Sequence, residues 1–138
     1  MIIWKKPFTL EDLNQLAKNT MTEHIGIKIS EFSDTSLTAT MPVEARTHQP
    51  MGLLHGGATV ALAETVGSFA ANISVADPHY CVGLEINCNH IRSIRSGLVV
   101  ATASPFHLGR TTQVWNIRIV DEEGKLVAIS RLTMAVLK

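Results

Sequence analysis

A glycine pair, Gly56-Gly57, and a single acid, Glu64, share one run of small and apolar residues, and together they could act on a carbonyl group. From Gly56 to Ala76, Glu64 is the only charged side chain. Burying a carboxylate among apolar neighbours is costly unless it is paired or put to use, so this acid is expected to be buried and working. The glycines stand where a helix should begin. The first N–H groups of a helix have no intrahelical partner and sit at the positive end of its dipole. They can hold a carbonyl oxygen and stabilise the oxyanion that forms on attack, and glycine leaves no side chain in the way. A strained turn alone would also call for two glycines, so the pair is informative only with its neighbours.

Those neighbours are polar. Ser68 lies four residues after Glu64, on the same helix face, where its hydroxyl could orient the carboxylate or a water. His55 immediately precedes the glycines, and Gln49 lies in the loop before them. His90 ends a period-two row of Val82, Leu84, Ile86 and Cys88, which would place it on an otherwise apolar strand face. Singly, each is explained as a satisfied structural polar group. Together they converge on one helix end, as a site should. Glu64 lies about 12 Å along the helix from Gly56 at 1.5 Å per residue, too far for one small reacting group to touch both. Two copies packed antiparallel about a two-fold axis would bring the acid of one near the glycines of the other, so the expected active unit is a dimer.

The elements that must position these residues follow from pattern. Thr9, followed by Glu11 and Asp12, predicts a capped helix over Thr9–Lys18. Ile25–Phe32 and Leu37–Val43 read as a hairpin turning at Ser33-Asp34-Thr35-Ser36. After a loop from Pro42 to Leu54, a long helix runs from about Gly56 to Val75, and Asp77-Pro78 ends it. Tyr80–Ser93, Leu98–Phe106, Thr111–Asp121 and Leu126–Leu137 are strand-like, with short connections that favour antiparallel pairing. The sum is an α+β fold: one antiparallel sheet of about six strands with a long helix inserted after the second, in a single domain over residues 1–138.

Bulk properties exclude several classes. Twelve basic and 12 acidic residues give a net charge of +0, without the basic excess of a nucleic-acid binder, and 46% apolar residues argue against disorder. The N-terminal run MIIWKKPFTLEDL has no apolar stretch after its lysines. Residues 56–76 approach membrane-span length but are interrupted by Thr59, Glu64, Ser68 and Asn72, so no membrane segment and a cytoplasmic location are expected. Cys81 and Cys88, the only cysteines, are seven apart and expected on opposite faces of one strand, unbridged and reduced. His48, His55, His90 and His107 lack metal-site spacing, so neither a metal nor another cofactor is expected.

Gln49 spaced before His55-Gly56, then Glu64 and Ser68, within the runs ARTHQPMGLLHGG, ALAETVGS, VGLEIN and LGR, resembles the hotdog-fold acyl-CoA thioesterases of the phenylacetate-pathway type. The likeness covers nearly the whole chain. It is nearest to the bacterial branch containing 1,4-dihydroxy-2-naphthoyl-CoA thioesterase and the enterobactin-pathway proofreading thioesterase. The resemblance implies a hotdog fold with its long central helix wrapped by the sheet, and a homodimer or a tetramer of two dimers. It makes Glu64 the nucleophile or general base and has the Gly56 N–H polarise the thioester carbonyl from the opposed subunit. Gln49 and His55 would position the reacting groups, Ser68 would support Glu64, and His90 would line the site. Coenzyme A would lie near the segments holding Gly83, His90, Ile91, Arg92 and Ser93, and His107, Leu108, Gly109, Arg110, Thr111 and Thr112. Arg92 and Arg110 suit its phosphates, or are solvated strand-end cations.

The preferred substrate is an aromatic acyl-CoA, hydroxybenzoyl- or 1,4-dihydroxy-2-naphthoyl-like, which would suit menaquinone biosynthesis. The alternatives are proofreading of acyl or aryl carrier protein thioesters, or acyl-CoA binding without hydrolysis. Val60, Phe69, Met51 and Leu54 could shape the acyl pocket or be ordinary core. A dehydratase on the same scaffold would present a different His/Asp arrangement.

Overall fold

A computed structural model describes residues 1–138. The elements are α1 (Leu10–Leu16), α2 (Met21–His24), β1 (Lys28–Phe32), β2 (Leu37–Val43), a 3-10 turn (Ala45–Thr47), α3 (Gly56–Ile73), β3 (Tyr80–His90), β4 (Gly97–Leu108), β5 (Thr112–Asp121) and β6 (Leu126–Leu137). The six strands form one antiparallel sheet in the order β1-β2-β4-β5-β6-β3, so β3 is an edge strand. This is the α+β arrangement expected, with α3 inserted after the second strand and packed against β2, β3, β4, β5 and β6.

Each strand of the centre alternates. Leu37, Ala39 and Met41 on β2, Val99, Ala101 and Ala103 on β4, Trp115, Ile117 and Ile119 on β5 and Leu132 and Met134 on β6 are fully buried. They meet Leu62, Ala63, Val66 and Ala70 of α3, each large side chain contributing roughly 1.5–3 kcal/mol on burial. The small residues of α3 allow a close approach: a Cβ at Gly67 would lie 2.6 Å from Leu132 Cδ2. The one buried polar chain is complete, Trp115 Nε1 donating to Gln113 Oε1 at 2.8 Å and Gln113 Nε2 to Ser74 Oγ at 3.0 Å.

Four local differences from the sequence expectation matter. The first strand begins at Lys28, because Met21–His24 form a short helix and Gly26 turns the chain at φ 81°. Helix α1 keeps the expected Thr9 cap, with Thr9 Oγ1 accepting from Asp12 N at 3.0 Å, but ends at Leu16. Strand β3 stops at His90, and Ile91–Ser93 belong to the following loop. The fourth difference is a β-bulge: Gly83 pairs with Met134 but Glu85 with Thr133, so Leu84 is an extra residue.

The bulge inverts the alternation along β3. Cys81 and Gly83 point inward before it; Ile86, Cys88 and His90, opposite the buried Leu132, Ser130 and Ala128, point inward after it. Val82 and Leu84 point out, 41% and 60% exposed, so the expected continuous apolar row does not exist. Cys81 and Cys88 therefore share a face instead of lying on opposite ones. They remain free, about 23 Å of strand apart.

Candidate active site

The N-terminus of α3 is tied down on three sides. His55 Nδ1 accepts the Gly57 N–H at 2.7 Å and caps the helix, which requires that nitrogen to be unprotonated. His55 N donates to Thr47 O at 2.8 Å and Leu54 N to Ile94 O at 2.7 Å, while His48 Nε2 meets Arg95 O at 2.8 Å. The Gln49 loop closes on itself, Gln49 N donating to Leu53 O at 2.8 Å and Gln49 Oε1 accepting from Met51 N.

Gly56 keeps its N–H free of any partner within the chain. The His90 imidazole covers its Cα, and a Cβ at Gly56 would sit 3.1 Å from Nε2. The bulge makes this contact possible by turning His90 inward. Gln49, Leu53, Gly56, His90, Arg92 and Val127 line a cavity of about 330 Å³ here. An unpaired N–H at a helix start beside an imidazole can receive a carbonyl oxygen.

Glu64 lies two turns further along α3 and is half-buried, not buried as expected. Its carboxylate rests on β3: a Cβ at Gly83 would lie 2.6 Å from Oε2. It makes no salt bridge and no hydrogen bond within the chain. It opens into a second cavity of about 520 Å³, shared with Leu16, Thr22, Thr65, Ser68 and Phe69. The Ser68 hydroxyl is on the expected face but points to Met134 Sδ at 4.0 Å, so no Ser68–Glu64 hydrogen bond exists within the chain. The carboxylate has swung toward β3, out of its reach.

The remaining sites fall at two ends of the sheet. His90, Ile91, Arg92 and Ser93 lie with Gly56 at the end where β6 begins, His90 pairing with Ala128. His107 and Leu108 end β4; Gly109, Arg110 and Thr111 turn, with Gly109 N donating to Thr112 O at 2.9 Å; and Thr112 pairs with Ala135 at the opposite end. Within one chain these two segments do not meet. Neither arginine is in a salt bridge. Asp121, near Arg92, has its carboxyl held below its ordinary value of 3.8, first by the Lys125 N–H, then by the Glu123 N–H and the Arg92 charge. The histidines do not converge, and no cluster of three metal-ligating side chains forms.

Two features of the site escaped the sequence pattern. The Glu64–Gly83 contact depends on the bulge, for which a lone glycine within a strand was the available signal. Leu16 and Thr22 reach the Glu64 cavity from α1 and α2, with no local signal at all.

Comparison with known proteins matches residues 51–128 to the thioesterase superfamily, a span that includes Gly56, Glu64 and His90. The chain belongs to the thioesterase superfamily. The 1,4-dihydroxy-2-naphthoyl-CoA hydrolase of Escherichia coli is 49% identical over 136 residues, covering 99% of this chain and 100% of that one. The proofreading thioesterase EntH of Cronobacter sakazakii is also 49% identical, covering 99% of each. A crystal structure of a Haemophilus influenzae thioesterase superposes with a TM-score of 0.98 at 53% identity, over 99% of this chain and 96% of that one. This thioesterase is thus a thioester hydrolase with the hotdog fold, its long helix wrapped by a six-stranded sheet. No helix of the thioesterase is long and apolar enough to cross a membrane.

Proposed function

We propose that this protein hydrolyses an aromatic acyl-CoA thioester, with Glu64 acting on the thioester carbonyl and the Gly56 N–H of a second copy holding the carbonyl oxygen. The observation that carries it is the Glu64 carboxylate itself. A structural carboxylate would be paired or hydrogen-bonded, whereas this one is neither and opens into a cavity.

Glu64 attacks the carbonyl carbon, or takes a proton from a water that attacks it. The carbonyl electron pair moves to oxygen and is stabilised by the Gly56 N–H at the positive end of the helix. Collapse of the tetrahedral species breaks the C–S bond, and the thiolate leaves with its electron pair and is then protonated. Gln49 and His90 border the carbonyl position, and His55 holds the helix end that carries it. In the anhydride route water then releases the acid from Glu64.

Shared active sites are supported by the edge position of β3. His90 covers Gly56 and Gly83 supports Glu64, so a β3–β3 pairing across a two-fold axis with His90 opposite the partner's Gly83 joins the two halves. The same pairing brings the Arg92 segment of one copy toward the Arg110 turn of the other, and coenzyme A lies along that path. The two free thiols suit a cytoplasmic location. The name of the Escherichia coli relative, a 1,4-dihydroxy-2-naphthoyl-CoA hydrolase, supports an aromatic acyl group, and that of EntH, a proofreading thioesterase, keeps proofreading as the second reading.

The test is thiol release from aromatic and aliphatic acyl-CoAs by the unaltered protein and Glu64→Ala side by side. Aromatic-selective turnover that falls by orders of magnitude in the variant is expected. Turnover near the unaltered rate in Glu64→Ala would remove Glu64 from the reaction, and no turnover of any CoA ester would favour the carrier-protein reading.

A further inference from the structure

The cavity beside Glu64 has two walls. One is α3, where Glu64, Ser68 and Asn72 form a stripe four residues apart, about 12 Å long. The other is the α1–α2 segment, which contributes Leu16 and Thr22. This second wall is anchored to the sheet. Asn14 Nδ2 donates to Ile29 O at 2.9 Å and Asn14 Oδ1 accepts from Ile29 N at 2.8 Å, while Thr20 Oγ1 donates to Ala17 O at 2.6 Å.

The polar groups of the cavity differ in what they have left to give. Asn72 is committed, its amide donating to Ser68 O and Cys81 O and accepting from Cys81 N. Ser68 is turned to the Met134 sulfur. The Thr22 and Thr65 hydroxyls make no hydrogen bond within the chain, although both residues are half-buried; Thr65 stands beside Glu64 on the α3 wall and Thr22 on the other. Leu16, on the same wall as Thr22, is 69% exposed, an uncovered apolar side chain at the rim of a cavity whose other apolar lining residue is Phe69. A free hydroxyl and an uncovered leucine on one wall, facing a catalytic carboxylate on the other, match a flat apolar ring carrying a hydroxyl group.

We infer that Thr22 hydrogen-bonds a ring hydroxyl of the acyl group and that Leu16 packs on the ring, so the α1–α2 segment selects hydroxylated aromatic acyl groups. This rests on the function proposed for the Glu64 site and adds the residues that choose its substrate. A pocket that pairs a substrate hydroxyl discriminates against the analogue lacking it, because the protein hydroxyl then loses its water without gaining a partner.

The experiment measures kcat/KM for benzoyl-CoA, 3-hydroxybenzoyl-CoA and 4-hydroxybenzoyl-CoA with the unaltered protein, Thr22→Val, Thr22→Ser and Leu16→Ala. The unaltered protein prefers a hydroxylated ester. Thr22→Val loses that preference, falling about 3- to 10-fold further on the hydroxylated ester than on benzoyl-CoA. Thr22→Ser, which keeps the hydroxyl, retains the preference, and Leu16→Ala raises KM for all three esters with kcat held. A hydroxyl preference that survives Thr22→Val, an equal fall on all three esters, or no preference in the unaltered protein overturns the inference and leaves the thioesterase function standing. Absence of turnover of all three by the unaltered protein, with activity on other thioesters, overturns the aromatic reading and this inference together.

Discussion

The carboxylate of Glu64 rests on the Cα of Gly83, so closely that a Cβ there would stand 2.6 Å from Oε2. The contact joins the helix to the edge strand at the position where a bulge turns Gly83 inward. It explains why a free carboxylate keeps one place without a salt bridge: backbone, not charge, supports it. Two turns back along α3, His90 covers Gly56 in the same manner. Strand β3 therefore touches both halves of the proposed chemistry.

Gly83→Ala should displace the Glu64 carboxylate while leaving the fold intact, because the atom it meets is the far end of a flexible side chain and Leu132 stays at 3.9 Å. A misplaced reacting group costs on the order of 100-fold in kcat. Thiol release and thermal melting measured together check this. A normal kcat in Gly83→Ala would show that the contact does not position the acid.

Gly56→Ala should separate activity from stability in the other half-site. The new methyl group meets His90 Nε2 at 3.1 Å and Cε1 at 3.2 Å, so the imidazole must shift by a few tenths of an ångström. Alanine also removes unfolded-state freedom, worth about 0.4–1 kcal/mol where the backbone accepts it. The expected outcome is a melting temperature equal to or above that of the unaltered protein with kcat reduced about tenfold.

Shared sites make a prediction that self-contained sites do not. Glu64→Ala and Gln49→Ala are each expected to be nearly inactive. Mixed by unfolding and refolding together, they would form heterodimers with one intact site each, and activity would return to about a quarter of the unaltered level. No recovery on mixing, with dimers verified by sedimentation, would refute a site built from two copies.

The β5–β6 turn should carry an acid-dependent share of stability. Asp121 Oδ1 accepts from Glu123 N and Lys125 N, both at 2.9 Å, and its carboxyl is depressed below 3.8 by those bonds and by Arg92 and Lys125. A depressed carboxyl stabilises the fold fully above its unfolded value and loses that contribution as pH falls through the lower folded value. Asp121→Asn should therefore melt below the unaltered protein at neutral pH, with the gap narrowing once the pH drops beneath 3.8. A gap of constant size across this range would exclude the carboxylate's charge as its source.

The sequence by itself determined where α3 begins, where the strands of the sheet lie and that Glu64 stands alone among apolar neighbours. These are properties of period, propensity and turn chemistry, all local to a dozen residues. The family motif was equally readable, since Gln49, His55, Gly56 and Glu64 lie within one stretch. What lay beyond it was decided by partners distant in the chain. The position of Leu84 as an extra residue depends on β6 pairing with both sides of Gly83, and a period-two count across β3 put Val82 and Leu84 on the wrong face. The same count set Cys81 and Cys88 on opposite faces. Ser68 turned to Met134 because that sulfur lies on a strand 66 residues away, not because of anything in the helix. The edge position of β3, the separation of the His90 and His107 segments to opposite ends of the sheet, and the α1–α2 wall of the Glu64 cavity likewise followed from strand order and docking. Side-chain direction at a bulge and contact between remote elements are settled by long-range packing, which no local pattern encodes.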